Sequence, residues 1–188
     1  MEPMHPTFLT SASRRGATSA GPSREAADST LERVGEAVSA SLRGGGAAGA
    51  LALLNARVRF RFTGLYRVDP PVLRNVRLYD RENPTLNVSG ACARLDETFC
   101  ALVWRRAAPF VTDDATADAG LARLTSRGTV LSYAGVPIHG AAGRVVGTLC
   151  HFDGRPRLMP PAELCVLEAV APLFAATLLA AGPVTAEG

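Results

Sequence analysis

Two β-rich runs, residues 130–139 and 144–153, constrain this chain more than any other stretch. Val130, Tyr133, Val136 and Ile138 mark the first run, and Val145, Val146, Thr148 and Phe152 the second. Between them, Gly140-Ala-Ala-Gly143 supplies residues that tolerate φ > 0 in a tight reversal, which makes the pair a β-hairpin. With Ala141 and Ala142 at the turn, Tyr133 faces Cys150, Ser132 faces His151 and Ala134 faces Leu149. Alternation then splits the hairpin into two faces. Ser132, Ala134, Val136, Ile138, Val145, Gly147, Leu149 and His151 form a small, largely aliphatic face suited to packing under helices. The other face holds Leu131, Tyr133, Gly135, Pro137, His139, Arg144, Val146, Thr148, Cys150 and Phe152. It mixes apolar and polar groups, as a ligand-holding wall does. A one-residue slip would exchange the two sets.

The 188 residues suffice for one domain with a proper core plus tails. Every strongly basic residue is arginine, and the net charge of +3 is too small and too scattered to argue a nucleic-acid partner. No run approaches the roughly 18 apolar residues of a membrane span, and no apolar export segment opens the chain, so the expected setting is cytoplasmic with no membrane partner. Cys92, Cys100, Cys150 and Cys165 show no CxxC spacing. Reduced thiols and no metal site are expected.

Residues 1–28 are polar and small, without apolar periodicity, and read as a disordered tail. Leu31, Val34, Val38 and Leu42 then recur at helical spacing, predicting an amphipathic helix over 29–43 that the glycines Gly44, Gly45 and Gly46 end. A second helix is expected over about 47–59. Strands at 60–68 and 73–80 form another hairpin around Asp69-Pro-Pro71. Six arginines decorate this region (Arg57, Arg59, Arg61, Arg67, Arg74 and Arg77), and read as a solvated, snorkelling face. Residues 83–95 read as a loop and 96–106 as a helix capped by Asp96. A short strand at 108–112 and a loop with a short helix at 113–125 lead into the central hairpin. The last element is a helix over 161–181, started by Pro160-Pro161. Leu164, Leu167, Ala171, Phe174 and Leu178 form its seam, and Pro172 kinks or splits it. Residues 183–188 are a tail.

This order gives an α+β class: an antiparallel β-sheet of about five to six strands with helices on its faces, a GAF/PAS-like sandwich. Several runs carry a resemblance: Leu95-Asp-Glu-Thr-Phe-Cys100, Pro109-Phe-Val-Thr-Asp-Asp-Ala115, Ser132-Tyr-Ala-Gly-Val-Pro-Ile138 and Gly143-Arg-Val-Val-Gly-Thr-Leu-Cys150. In that order and spacing they resemble a GAF domain over residues 45–182. The resemblance implies a small-molecule ligand held between sheet and loops, a homodimer through flanking helices, and a separate signalling protein as output partner. Candidate pocket residues are Phe99, Val103, Phe110, Tyr133, Thr148 and Cys150, with ordinary core packing as the competing reading for each. Cys100 joins them at a helix start, where the dipole favours a thiolate. Asp114 sits at the expected rim, with N-capping as its competing role.

Cys150-His151 invites comparison with the bilin-attaching pair of phytochrome GAF domains, but strand alternation points the two side chains to opposite faces. GAF enzymes that reduce free methionine sulfoxide resemble the stretch around Cys100, with a GVCGTA motif where Thr98-Phe-Cys-Ala101 stands. Their further cysteine, in a GHIACD run, would fall near 118–127, where none occurs; Cys92 is the conceivable partner for Cys100. The expected function is therefore a non-enzymatic sensor for a cyclic nucleotide or another metabolite, acting through a dimer, without a resident cofactor. The alternatives are a thiol-dependent enzyme using Cys100 and a ligand-free structural interaction module.

Overall fold

The computed structural model describes residues 24–182. Its strands are β1 (Phe62–Asp69), β2 (Val72–Asp80), β3 (Cys92–Arg94), β4 (Phe110–Thr112), β5 (Ser132–His139) and β6 (Val145–Asp153). They build one antiparallel sheet in the order β3-β2-β1-β6-β5-β4. The helices are α1 (Arg24–Asn55), α2 (Cys100–Arg106), α3 (Pro161–Val170) and α4 (Ala175–Ala180), the last two joined by a 3₁₀ turn at Ala171–Phe174. The expected α+β sheet sandwich is the fold observed.

The central hairpin departs from its expected register by two residues. Tyr133 pairs with Phe152 and Gly135 with Cys150. The reason is two successive one-residue bulges. Gly143, at φ 71°, occupies the left-handed position after the turn, so that Gly140 N–H bonds the Arg144 carbonyl at 2.8 Å. A second shift between Ile138 and His139 leaves Val146 unpaired. Each bulge alone would exchange the faces; together they restore them beyond Val146, which itself turns to the helix side and packs there.

On the helix side, Leu65, Val136, Ile138 and Leu149 meet Val34, Val38, Leu51 and Leu54 of α1. They also meet Val166, Leu167, Val170, Phe174 and Leu178 from the C-terminal segment. Each such fully buried side chain contributes about 1.5–3 kcal/mol of transfer free energy. The apolar stripes read as dimer surfaces are therefore seated on the chain's own sheet. Over 18 residues both α1 and the 161–180 segment match a membrane-crossing helix in length and apolar content, unlike the sequence reading. Their buried faces here cover the sheet.

Several details differ from expectation. Helix α1 begins at Arg24, inside the expected tail, and its break falls at Gly46 (φ 70°), with the second half ending at Asn55. The remainder of that tail, 1–23, and residues 183–188 lie outside the described residues. Cys92–Arg94, expected as loop, pairs with Val72, Leu73 and Arg74 to make the edge strand. The helix expected from Asp96 divides into a 3₁₀ turn, Leu95–Glu97, and the seven-residue α2. Asp96 pairs with Arg94 at 2.9 Å instead of capping. Finally, the arginines are tied down more than a solvated face implies. Arg57 forks onto Glu163 (2.7 and 2.8 Å), Arg61 forks onto Asp80, and Arg67 and Arg74 donate to the Leu178 and Ala181 carbonyls that end the last helix.

Candidate functional site

The site begins with a row of three residues across the sheet. Cys150 on β6 pairs with Gly64 of β1 on one side and Gly135 of β5 on the other. A side chain at Gly64 would run into the Tyr66 ring, and one at Gly135 into the Tyr133 ring and hydroxyl. Both tyrosines thus lie along their own strands over the glycine two residues away, which shares their face. The two rings flank Cys150. Helix α2 and the turn before it cross above this row, placing Phe99 and Cys100 over the sheet.

A cavity of about 180 Å³ remains between these layers, lined by Tyr66, Leu73, Ala93, Thr98, Phe99, Cys100, Ser126, Val130, Tyr133, Cys150 and Phe152. It lies on the hairpin face expected to hold a ligand. The rings of Phe99 and Tyr133, with centroids 5.3 Å apart, form one wall, and Phe110 backs it at 6.3 Å from each. Arg106 covers the outer face of Phe110 at 5.0 Å.

Two donors converge on the Cys100 sulfur. The Thr148 hydroxyl donates at 3.3 Å and the Tyr133 hydroxyl at 3.4 Å, while the Cys150 thiol donates to the Gly64 carbonyl at 3.7 Å. The nearby Cys150 thiol first, and the two hydroxyls with it, hold the Cys100 thiol below its ordinary range against the opposing effect of burial. Burial pushes Cys150 well above its ordinary range, so Cys100 is the more acidic thiol of the pair. Burial likewise keeps the Tyr133 phenol protonated and able to donate. At the margin, the buried Asn75 Oδ1 and Ser126 hydroxyl have no hydrogen-bond partner among the described residues.

Of the residues singled out from sequence, Phe99, Cys100, Tyr133 and Cys150 line the cavity. Thr148 is buried beneath it and reaches it through Cys100. Val103 and Phe110 are core residues of the same cluster, behind the wall. Asp114 lies apart: its carboxylate accepts from the Thr116 N–H at 2.9 Å and hydroxyl at 2.6 Å, and so caps the following 3₁₀ turn. Asp113 accepts from the Met159 N–H at 3.0 Å. Cys92 is exposed on β3 and donates to the Gly90 carbonyl, so the neighbour of Cys100 is Cys150. His151 points to the opposite face from Cys150, as alternation requires, and is buried against Phe60 and Thr63. Gly64, Tyr66 and Gly135 were not singled out. The Gly-x-aromatic spacing of Gly64-Leu-Tyr66 and the Tyr133-Ala-Gly135 run are the signals that mark them.

A six-stranded antiparallel sheet with long helices on one face and a loop-roofed cavity on the other defines the GAF class of α+β domain. The chain belongs to the GAF domain family, whose model matches residues 25–178. No curated protein sequence matches it significantly. Among solved structures it is similar to a free methionine-R-sulfoxide reductase from Neisseria meningitidis, at 18% identity and TM-score 0.59, covering 87% of this chain and 94% of that one. It is also similar to the GAF domain of an Acinetobacter phosphoenolpyruvate-protein phosphotransferase, at 14% identity and TM-score 0.63, covering 81% and 94%. A third is a protein classed as a GAF sensor from Burkholderia vietnamiensis, at 16% identity and TM-score 0.62, covering 82% and 97%. At these identities the likeness establishes the fold alone.

Proposed function

We propose that this GAF domain is a non-enzymatic, cytoplasmic sensor whose cavity takes a compact, uncharged, largely apolar small molecule. The observation that carries this reading is the wall itself, in which aromatic, aliphatic and thiol side chains predominate and no charged residue takes part. A cyclic nucleotide would bring a phosphate, which requires an arginine, a lysine or a cradle of N–H groups to offset its desolvation. A neutral ring asks for none of these. The volume agrees, since an apolar cavity of about 150 Å³ accommodates benzene. Tyr66, Ser126 and Thr98 offer such a ligand a few hydroxyls for orientation.

The reading is tested by thermal unfolding of the full chain with phenol, indole and cyclic AMP. A neutral ring present at about one hundred times its Kd stabilises the folded state by about 2.7 kcal/mol, raising Tm. Ala93→Phe, on the exposed edge strand at the cavity mouth, should abolish that rise without lowering Tm in the absence of probe. A rise with cyclic AMP and none with the neutral rings would overturn the proposal.

A further inference from the structure

The cavity holds chemistry that ligand binding does not use. Cys100 opens α2 and Cys150 lies in β6, yet both thiols line one cavity and both are buried. A structural thiol in an apolar core is usually surrounded by hydrocarbon. Here the Thr148 and Tyr133 hydroxyls aim at the Cys100 sulfur, at 3.3 and 3.4 Å. This is the surrounding that stabilises a developing thiolate. Cys92 and Cys165 are exposed and stand outside the cluster.

We propose that Cys100 and Cys150 are a redox pair that closes to an intramolecular disulfide when a small neutral hydroperoxide enters the cavity. The Cys100 thiolate attacks the terminal oxygen of the hydroperoxide RO–OH, R being hydrogen or a small alkyl group; the S–O bond forms, the O–O bond breaks, and the departing RO⁻ takes up the proton released by Cys100, leaving as ROH. Cys100 is then a sulfenic acid, oxidised by two electrons, and the peroxide is reduced. The Cys150 sulfur next attacks the sulfenic sulfur, the S–O bond breaks, and hydroxide leaves with the Cys150 proton as water. The two sulfurs, which face the same cavity, close to a bond of about 2.05 Å. The bond would tie α2 to β6 across the cavity floor. On the sensor reading, it would couple the room left for a ligand to the oxidation state.

The test uses the full chain carrying Cys92→Ser and Cys165→Ser, two surface substitutions that leave the cavity untouched. After treatment with a few equivalents of hydrogen peroxide, intact mass spectrometry should show a loss of two hydrogens. The tryptic peptides bearing Cys100 and Cys150 should be crosslinked, and dithiothreitol should release them. Adding Cys150→Ser should halt the reaction at a Cys100 sulfenic acid that dimedone traps. The proposal is overturned if Cys100 and Cys150 both remain alkylatable after denaturation under conditions that oxidise Cys92 and Cys165 in the parent chain. It is equally overturned if Cys100 stops at the sulfenic acid with Cys150 present. Neither result depends on whether a neutral ligand binds.

Discussion

His151 is 2% exposed on the helix side of β6. Its Nδ1 lies 2.8 Å from the Thr63 hydroxyl, which itself accepts from the Asn55 amide at 2.9 Å. The Asn55 contact directs the Thr63 proton onto Nδ1, so the imidazole is neutral with its own proton on Nε2. Protonating Nδ1 would set two donors against each other. Burial first, and the charge of nearby Arg81 second, lower the His151 pKa from 6.5 to about 3. The Arg81 guanidinium is fixed there by bonds to the Asn55 and Val58 carbonyls, both 2.7 Å. Between pH 6.5 and 3 the unfolded chain binds a proton that the folded chain does not, so stability falls as pH falls through this window and is unaffected above it. From pH 7 to 5 the loss is about 2 kcal/mol, at about 1.4 kcal/mol per pKa unit. Asp80, Asp96 and Asp114 are each held below 3.8, so their contributions are lost only at lower pH. Urea unfolding at pH 7, 6 and 5 measures the effect. His151→Gln retains an acceptor for Thr63 but cannot titrate, and its stability should be nearly flat over that range. Equal losses in the parent and the variant would refute the argument.

Two further outcomes follow from the site and its support. A methyl group added by Gly147→Ala would meet the Tyr66 carbonyl oxygen and the Leu178 side chain, and the first, being backbone, cannot yield; the cost in urea unfolding should be about 1–3 kcal/mol. Thr148→Val keeps the shape but removes the donor at 3.3 Å from Cys100. In the Cys92→Ser, Cys165→Ser chain, the pH midpoint of Cys100 alkylation by iodoacetamide should rise by about one unit and Thr148→Ser should restore it, a charged-group hydrogen bond being worth about 1.5–3 kcal/mol.

The parts of the fold legible in sequence are those written as periodicity. Alternation in the central hairpin separates Val136, Ile138 and Leu149 from Tyr133, Cys150 and Phe152, and the structure buries these sets on opposite sides of the sheet. Register is a different quantity. It depends on the bulges at Gly143 and Val146, each a single-residue backbone choice without a side-chain period. Helical spacing in 29–43 and 161–181 likewise shows that a face is buried, but not what covers it. The chain's own core competes for that face with a second copy of the chain, and Val34, Val38, Phe174 and Leu178 are buried within that core. Three-residue β3 is too short to display alternation, and its pairing is defined by its partner Val72–Asp80.

The site is legible only in part because its decisive feature is a coincidence across strands. Phe99, Cys100, Tyr133 and Cys150 stand in runs that resemble the family, and the fold brings them to one cavity. The space they line comes from Gly64 and Gly135, which become neighbours of Cys150 only once three strands are in register. Their missing side chains let two tyrosine rings lie flat, and the Tyr133 hydroxyl thereby reaches the Cys100 sulfur. A larger residue at Gly135 would displace that ring and remove one donor from the sulfur. Room for a ligand and activation of the thiol are consequently set by the same backbone position, which is why neither can be read from the cysteines alone.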